Sequence, residues 1–449
     1  MLLRRILTLG VMLAATSPLG AQGAGRLPVE TYTLDNGLKV VLVEDHHAPV
    51  VAVDVTYDVG SRNEVKGKTG FAHVFEHMMY QGSENVKKGE HMSLLEAAGA
   101  AGYNGSTHED FTNYYQPVPS NRMNLALWLE ADRMRSLAVT DTNFTNQREV
   151  VKEERRMRVD NQPYGRAIFE ATYAIEDSTT CFPYAHSVIG SMDDLNAGQT
   201  PDVQAFFKLY YAPNNATLVI TGDFDPAEAK RLVQQYFGGI PRGEEPPPVS
   251  CAARFNTGAK RQRLLDTKAN LPAVVQVYKI PQYDSPDYPA LQLLSTILGQ
   301  GASSRLNRSL AREKKLAAGS QMLFNVFGPR RGPGHFSILS LANQGVAVDS
   351  LEKALTAEVA RVAAEGVTAE ELTKAKNLYR SSTINDRQRA LSLAQAVQMA
   401  DLFLGSPEAI NTDLDRYMKV TVDDVRRVAA TYLRPDNSLT LIVSSEAIQ

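Results

Sequence analysis

The sequence predicts an α+β chain of two related domains, and three observations carry that prediction. Strand-like alternation and helix-like periodicity are interspersed along the chain. A stretch rich in Pro and Gly, residues 238–250 (GGIPRGEEPPPVS), parts it into nearly equal halves. A pattern near the end of the first half recurs near the end of the second. A length of 449 residues agrees, because single cores stop growing at about 250–300 residues and longer chains divide.

Residues 1–24 read as a leader rather than as part of the fold. Arg4 and Arg5 make a short basic region, residues 6–15 are apolar but too few to span a bilayer, and small residues follow around Ala21 and Ala24. This is the pattern of a cleavable signal peptide, which places the mature chain in the periplasm or outside the cell. No later stretch reaches 18 uninterrupted apolar residues, so no membrane span is expected in the mature chain. Residues 31–34 and 38–43 flank Asn36-Gly37, whose tolerance of positive φ predicts a tight hairpin. Residues 50–59 alternate and are rich in β-branched side chains, as a strand requires; residues 69–81 predict a helix. An amphipathic helix over 201–211 is followed by a strand over 216–222. These elements predict a first domain over 28–240, a linker over 241–252 and a second domain over 253–449.

Asp202-Val203, Tyr210, Pro213, Asn215 and Ile220 match Asp424-Val425, Tyr432, Pro435, Asn437 and Ile442, each pair 222 positions apart. Pro49-Val50-Val51 resembles Pro272-Ala273-Val274 at a distance of 223. Two matches at nearly one spacing predict a duplicated domain. A net charge of −3 gives no electrostatic case for nucleic acid or an anionic membrane as partner. The short basic run Arg155, Arg156, Arg158 reads as a solvated helix face or local ion pairs. Two distant cysteines, Cys181 and Cys251, make neither a disulfide framework nor a zinc ribbon, and two separate buried thiols are the expectation.

The chemistry lies in residues 71–80, FAHVFEHMMY. In a helix His73, Glu76 and His77 share one face, being spaced i, i+3, i+4. Their neighbours are apolar nearly all round, which buries the helix. Two imidazoles and a carboxylate in a buried stripe are costly unless something satisfies them, and a divalent metal does so. Zinc suits such donors and leaves a position for water. Glu76, between the two ligands, is placed to take a proton from that water and hand it to a leaving amine. The His-x-x-Glu-His order is the inverzincin signature. The second half carries Thr296 and Gln300 where the first has His73 and His77, so the chemistry belongs to the first. For a third ligand, the helix over 147–158 offers Glu154, flanked at helical spacing by Val150, Val151 and Met157 and therefore inward. Glu153 shares its face with Glu149 and Arg156 and reads as solvent-facing.

With these residues the chain resembles the pitrilysin family of zinc metallopeptidases, in particular its short two-domain bacterial subfamily, related to the mitochondrial processing peptidase. The resemblance rests on His73-x-x-Glu76-His77 with Glu154 following 77 positions after His77, and on Gly60-Ser61-Arg62-Asn63-Glu64 before Thr69-Gly70-Phe71-Ala72. It extends to Asn104-Gly105-Ser106-Thr107, Thr112-Asn113-Tyr114-Tyr115, Pro183-Tyr184 and Val188-Ile189-Gly190. It implies two domains that are each a mixed β-sheet with helices packed mainly on one face, and two chains closing around a chamber. It implies Zn2+ held by His73, His77 and Glu154, with Glu76 as general base. Asn104 and Gly105 would present an edge strand to which a peptide substrate adds by backbone pairing.

The chain departs from the family in two places. Family members complete the site with an Arg and, seven positions later, a Tyr. Here Arg312 fits the first, but Gly319, or Ala318 allowing one deletion, stands at the second. The resemblance therefore implies a metal-bearing subunit whose homologous partner, in a heterodimer, supplies Arg and Tyr. A self-sufficient homodimer and a non-catalytic scaffold are the other readings. Gln147 stands where relatives often have a supporting glutamate seven positions before the ligand. His108 and Glu109, in the strand region, and the isolated His91 and His186 read as structural or surface groups, and His46-His47 as a surface turn.

Overall fold

The computed structural model describes residues 26–252, 254–325 and 330–445, so the leader expected at 1–24 lies outside the described residues. The first half contains β1 (Val29–Thr33), β2 (Lys39–Glu44), β3 (Val50–Tyr57), α1 (Phe71–Met78), α2 (Glu90–Ala97), β4 (Asn104–Thr107) and β5 (Thr112–Pro119). It continues with α3 (Met123–Ser136), α4 (Asp141–Arg155), α5 (Gly165–Phe169), α6 (Met192–Ala197), α7 (Thr200–Tyr210), β6 (Ala216–Gly222) and α8 (Pro226–Phe237). The second half contains β7 (Lys260–Leu265), β8 (Ala273–Ile280), α9 (Tyr288–Gly299), β9 (Ala317–Phe324), β10 (Gly334–Ala342) and α10 (Val348–Glu365). Then follow α11 (Ala369–Arg387), α12 (Ala390–Leu404), α13 (Ile410–Met418), α14 (Val422–Tyr432) and β11 (Ser438–Ser444).

Two mixed sheets result, ordered β1-β2-β6-β3-β5-β4 and β7-β11-β8-β10-β9. In each, one pair is parallel, β2 with β6 and β7 with β11, and the remaining pairs are antiparallel. The spacing of 222 recurs in the bounds of the elements: α7, the turn Pro213–Asn215 and β6 stand to the first sheet as α14, Pro435–Asn437 and β11 stand to the second. The β1–β2 hairpin turns at Gly37, with φ of 92°. Asn36 is buried there because its amide donates to the carbonyls of Phe237 and Ile240, at 2.8 and 2.9 Å.

The alternation in β3 suggests a strand with one wet face, yet Val51 to Tyr57 are all buried. The cause is an exchange between the halves. Helices of the first half cover one face of its sheet, while α12 of the second half lays Leu393, Ala394 and Val397 against Val41, Val43, Ala52 and Val219 on the other. Reciprocally, Ala167 of α5 and Ile175 pack on Ala273, Val275, Leu439 and Leu441 at the back of the second sheet. Each half thus closes the other's core. Expressed singly, residues 26–249 are expected to aggregate through the bared Val41, Val43, Ala52 and Val219. Co-expression with 250–449 should restore a soluble, co-eluting pair on size exclusion.

Cys181 and Cys251 form a disulfide, correcting the expectation of two separate thiols. Residues 241–252, free of helix and strand, do not run clear of the body: Ala252 N donates to the Thr180 carbonyl at 3.0 Å, which brings the linker's end beside residue 181. Among the described residues no helix is long and apolar enough to cross a membrane.

Candidate active site

The helix that carries His73, Glu76 and His77 is positioned from its first turn. Gly70, in the left-handed region at φ 89°, starts α1, and the buried carboxylate of Glu64 accepts from the backbone N–H groups of Gly70 and Ala72 at 2.9 and 2.8 Å. A carboxylate there satisfies orphan donors and complements the helix dipole. Glycine is needed at 70 for a second reason: a Cβ would lie 2.8 Å from the Ile189 carbonyl. This close approach brings residues 188–190 against the site.

His73 and His77 project from successive turns with rings 5.0 Å apart and nearly perpendicular. Both turn Nε2 toward one oxygen of Glu154, at 3.6 and 3.3 Å. Two atoms each about 2.0–2.2 Å from a tetrahedral zinc would lie about 3.3–3.6 Å apart, so the observed spacing suits that ion. The donor types, two imidazoles and a carboxylate, suit it as well. His73 Nδ1 is buried with no hydrogen-bond partner, which carries a desolvation cost. Glu76 faces the same space, its Oε2 accepting from Thr107 Oγ1 of β4 at 2.7 Å. Burial, and then the neighbouring His77, drives His73 down to about 4. Burial also works against the charged form of His77, yet the Glu154 bond and the Glu76 charge hold it above its ordinary value. Glu154 is pulled down to about 2 despite partial burial, by the bond from His77 and the charges of His73 and Arg158. Burial pushes Glu76 up against the lowering effect of the Thr107 bond.

These groups open on a cavity of about 500 Å³ lined on one side by β4 and on another by Val159, Phe169, Val188 and Ile189. Asn104 and Gly105 both lie on its wall, and β4 is the edge strand of its sheet. A Cβ at residue 105 would come within 3.0 Å of Glu76 Cγ, so glycine lets the strand pass close over Glu76. Arg312 is not brought to this place: it is exposed on the π-helical segment Asn307–Glu313 of the second half and does not line the cavity. Gly319 lies on β9, with open space where a side chain would start.

The apolar neighbours that mark Glu154 as inward in the sequence are only partly buried in the structure. Val151 is buried, but Val150 and Met157 are 43 % and 56 % exposed, so only one of the three neighbours marks the inner face. The basic run divides between the two expectations: Arg155 is buried, donating to the Gly190 carbonyl at 2.7 Å and pairing with Glu170, whereas the side chains of Arg156 and Arg158 reach solvent and pair with Glu153 and Glu154. In the sequence Thr107 is marked only by the family-like Asn104-Gly105-Ser106-Thr107, Arg158 only by the basic run, and the apolar wall only by the family-like Val188-Ile189-Gly190. His108 lines the cavity with its ring stacked on Phe111, whereas Glu109 turns away into the body. His91 is buried against Tyr80, His186 is part-buried beside Glu64, and His46 is exposed between Glu44 and Asp223.

Gln147 is buried and its side chain favours the charged form of His77, the place where a group supporting a metal ligand would stand. Gln147→Glu is expected to tighten zinc binding by about tenfold in chelator competition, since outer-sphere partners change metal affinity by about 10–100-fold.

Residues 39–180 match the family model described as insulinase (peptidase family M16), and residues 199–379 match that of the peptidase M16 inactive domain. The zinc protease PqqE of Helicobacter pylori is 30% identical over 446 residues, covering 98% of each chain. A probable mitochondrial-processing peptidase subunit beta of Arabidopsis thaliana is 24% identical, over 89% of this chain and 75% of the other. The crystal structure of a protease from Helicobacter pylori superposes with a TM-score of 0.86 at 29% identity, over 93% of this chain and 100% of that one.

Proposed function

Because the chain belongs to peptidase family M16, we propose that it is a zinc-dependent endopeptidase subunit that hydrolyses peptides or unfolded polypeptide segments after export. The observation that carries this reading is the convergence of His73 Nε2, His77 Nε2 and one Glu154 oxygen beside Glu76. A zinc ion held by these three side chains would supply Lewis acidity, polarising the scissile carbonyl and acidifying the attacking water. The chain's own residues do the rest. The edge strand β4 offers its backbone to an extended substrate and so sets the scissile bond over Glu76. Thr107 holds one Glu76 oxygen, leaving the other to take a proton from water as its oxygen adds to the acyl carbon. As the C–N bond breaks, Glu76 returns that proton to the amine. The surrounding Val159, Phe169, Val188 and Ile189 exclude bulk water.

Arg312 is not among the residues that line the cavity and position 319 is glycine, which favours a homologous partner chain as the source of the missing Arg and Tyr. Export to the periplasm or beyond rests on the leader-like residues 1–24. The test is purification from the native host with any co-eluting homologous chain, followed by assay on an unstructured peptide. Cleavage should be lost on zinc chelation, return with added zinc, and be weak in the isolated, zinc-loaded chain. Unchanged turnover after complete zinc removal would rule the proposal out.

A further inference from the structure

The chemistry above makes no use of Arg158, and we propose that its guanidinium recognises a carboxylate of the substrate beside the scissile bond. The inference rests on the peptidase reading of the site. Helix α4 does not end after its ligand but runs into a π-helical turn over Arg156–Asp160. In a regular α-helix a residue five positions on lies about 140° round the axis, which would carry Val159 away from Glu154. The wider turn instead places Glu154, Arg158 and Val159 together on the cavity wall. Widened turns of this kind recur where a helix serves a site.

The side chain is open to the space it faces. It is 72% exposed while its Nη1 lies 3.0 Å from Glu154 Oε1, the oxygen other than the one between the imidazoles. A guanidinium has five N–H donors in a planar fork, so this contact leaves donors for a second carboxylate. Among the described residues lining the cavity, Arg158 is the one permanent cation. Both carboxylates on the wall are already committed, Glu154 to the metal site and Glu76 to proton transfer. An incoming acidic group therefore meets an attractive field and an incoming Lys or Arg a repulsive one. Arg158 also fronts the adjoining groove with Asn161 and Gln162, so its reach extends past the metal site. The carboxylate has two sources, an Asp or Glu side chain flanking the cleaved bond, or the terminal carboxylate of a short peptide.

The experiment uses the full chain carrying Glu76→Gln to stop turnover, zinc-loaded, alone and with any co-purifying homologous chain. Fluorescent Ala- and Ser-rich peptides bear one Glu, Gln or Lys scanned along their length, each with a free or an amidated C-terminus. At one position the Glu peptide should bind at least about tenfold more tightly than the Lys peptide. Arg158→Ala should erase that ranking and Arg158→Glu invert it, with zinc content unchanged. Should amidation alone remove the preference, the source is the terminal carboxylate. Binding indifferent to peptide charge, or a ranking that survives Arg158→Ala, overturns the inference and leaves the peptidase reading intact. A drop in zinc content with the ranking preserved assigns Arg158 to supporting Glu154 and overturns it equally. If no peptide binds in a zinc-dependent way, both readings fall.

Discussion

Glu76→Gln is expected to lower kcat for peptide hydrolysis by about 10²–10⁴-fold while the zinc content stays at one ion per chain. The amide is nearly isosteric and its carbonyl can still accept from Thr107 Oγ1, so the hydrogen bond that orients residue 76 survives. What is lost is the capacity to carry a proton from water to the departing amine. The same variant settles a question of ligation. His73, Glu76 and His77 have donor atoms within 4.8 Å of one another, which by proximity alone makes Glu76 a rival to Glu154 as third ligand. Only Glu154 directs a single oxygen at both imidazole Nε2 atoms, at 3.6 and 3.3 Å, whereas Glu76 is held by β4. Zinc should therefore be lost from Glu154→Gln and kept by Glu76→Gln, as read by metal analysis of the purified proteins. The reverse pattern would exchange the two roles and remove the proposed base.

What was legible in the sequence was local or periodic. Helix α1 could be read because its histidines are spaced by one turn within an apolar run, and the duplication because α7, β6 and their copies are uninterrupted by insertions. Glu154 was found for a reason only partly sound: Val150 and Met157, taken as marks of the buried face, point to solvent. What stayed hidden depends on chain segments that meet only after folding. No periodicity within β3 reveals that α12, more than 300 positions later, will cover its outer face. The disulfide was missed because the linker folds back on residue 180, and linker composition says nothing about where a linker lies. The buried pair of Glu109 and Arg330, 221 positions apart, is of the same kind. The sequence shows Glu109 only as a structural or surface group in the strand region.

That pair carries the largest expected effect on stability. Arg330→Met should destabilise the protein by about 3–5 kcal/mol, because breaking a buried ion pair strands the remaining charge. Glu109 and Arg330 are both almost wholly buried, and Tyr173 donates its hydroxyl to Glu109 Oε1 at 2.9 Å, so no water is at hand to solvate a lone carboxylate. Glu176, hydrogen-bonded to His335 at 3.1 Å and ion-paired with Lys279 at 3.3 Å, extends the polar cluster between the halves. The double variant Glu109→Leu/Arg330→Met should recover much of the loss, since removing both charges also removes their desolvation cost. Denaturant titration of the two single variants and the double closes that cycle; a double variant as unstable as the sum of the singles would show that the two side chains act independently. The same link reaches the active site. Glu109 stands two positions beyond Thr107, whose hydroxyl holds Glu76, so the second half anchors the loop that follows β4. Under conditions where Arg330→Met is still fully folded, kcat should therefore fall relative to the native chain while zinc content holds. A merely thermodynamic contribution would leave the turnover of the folded fraction unaltered.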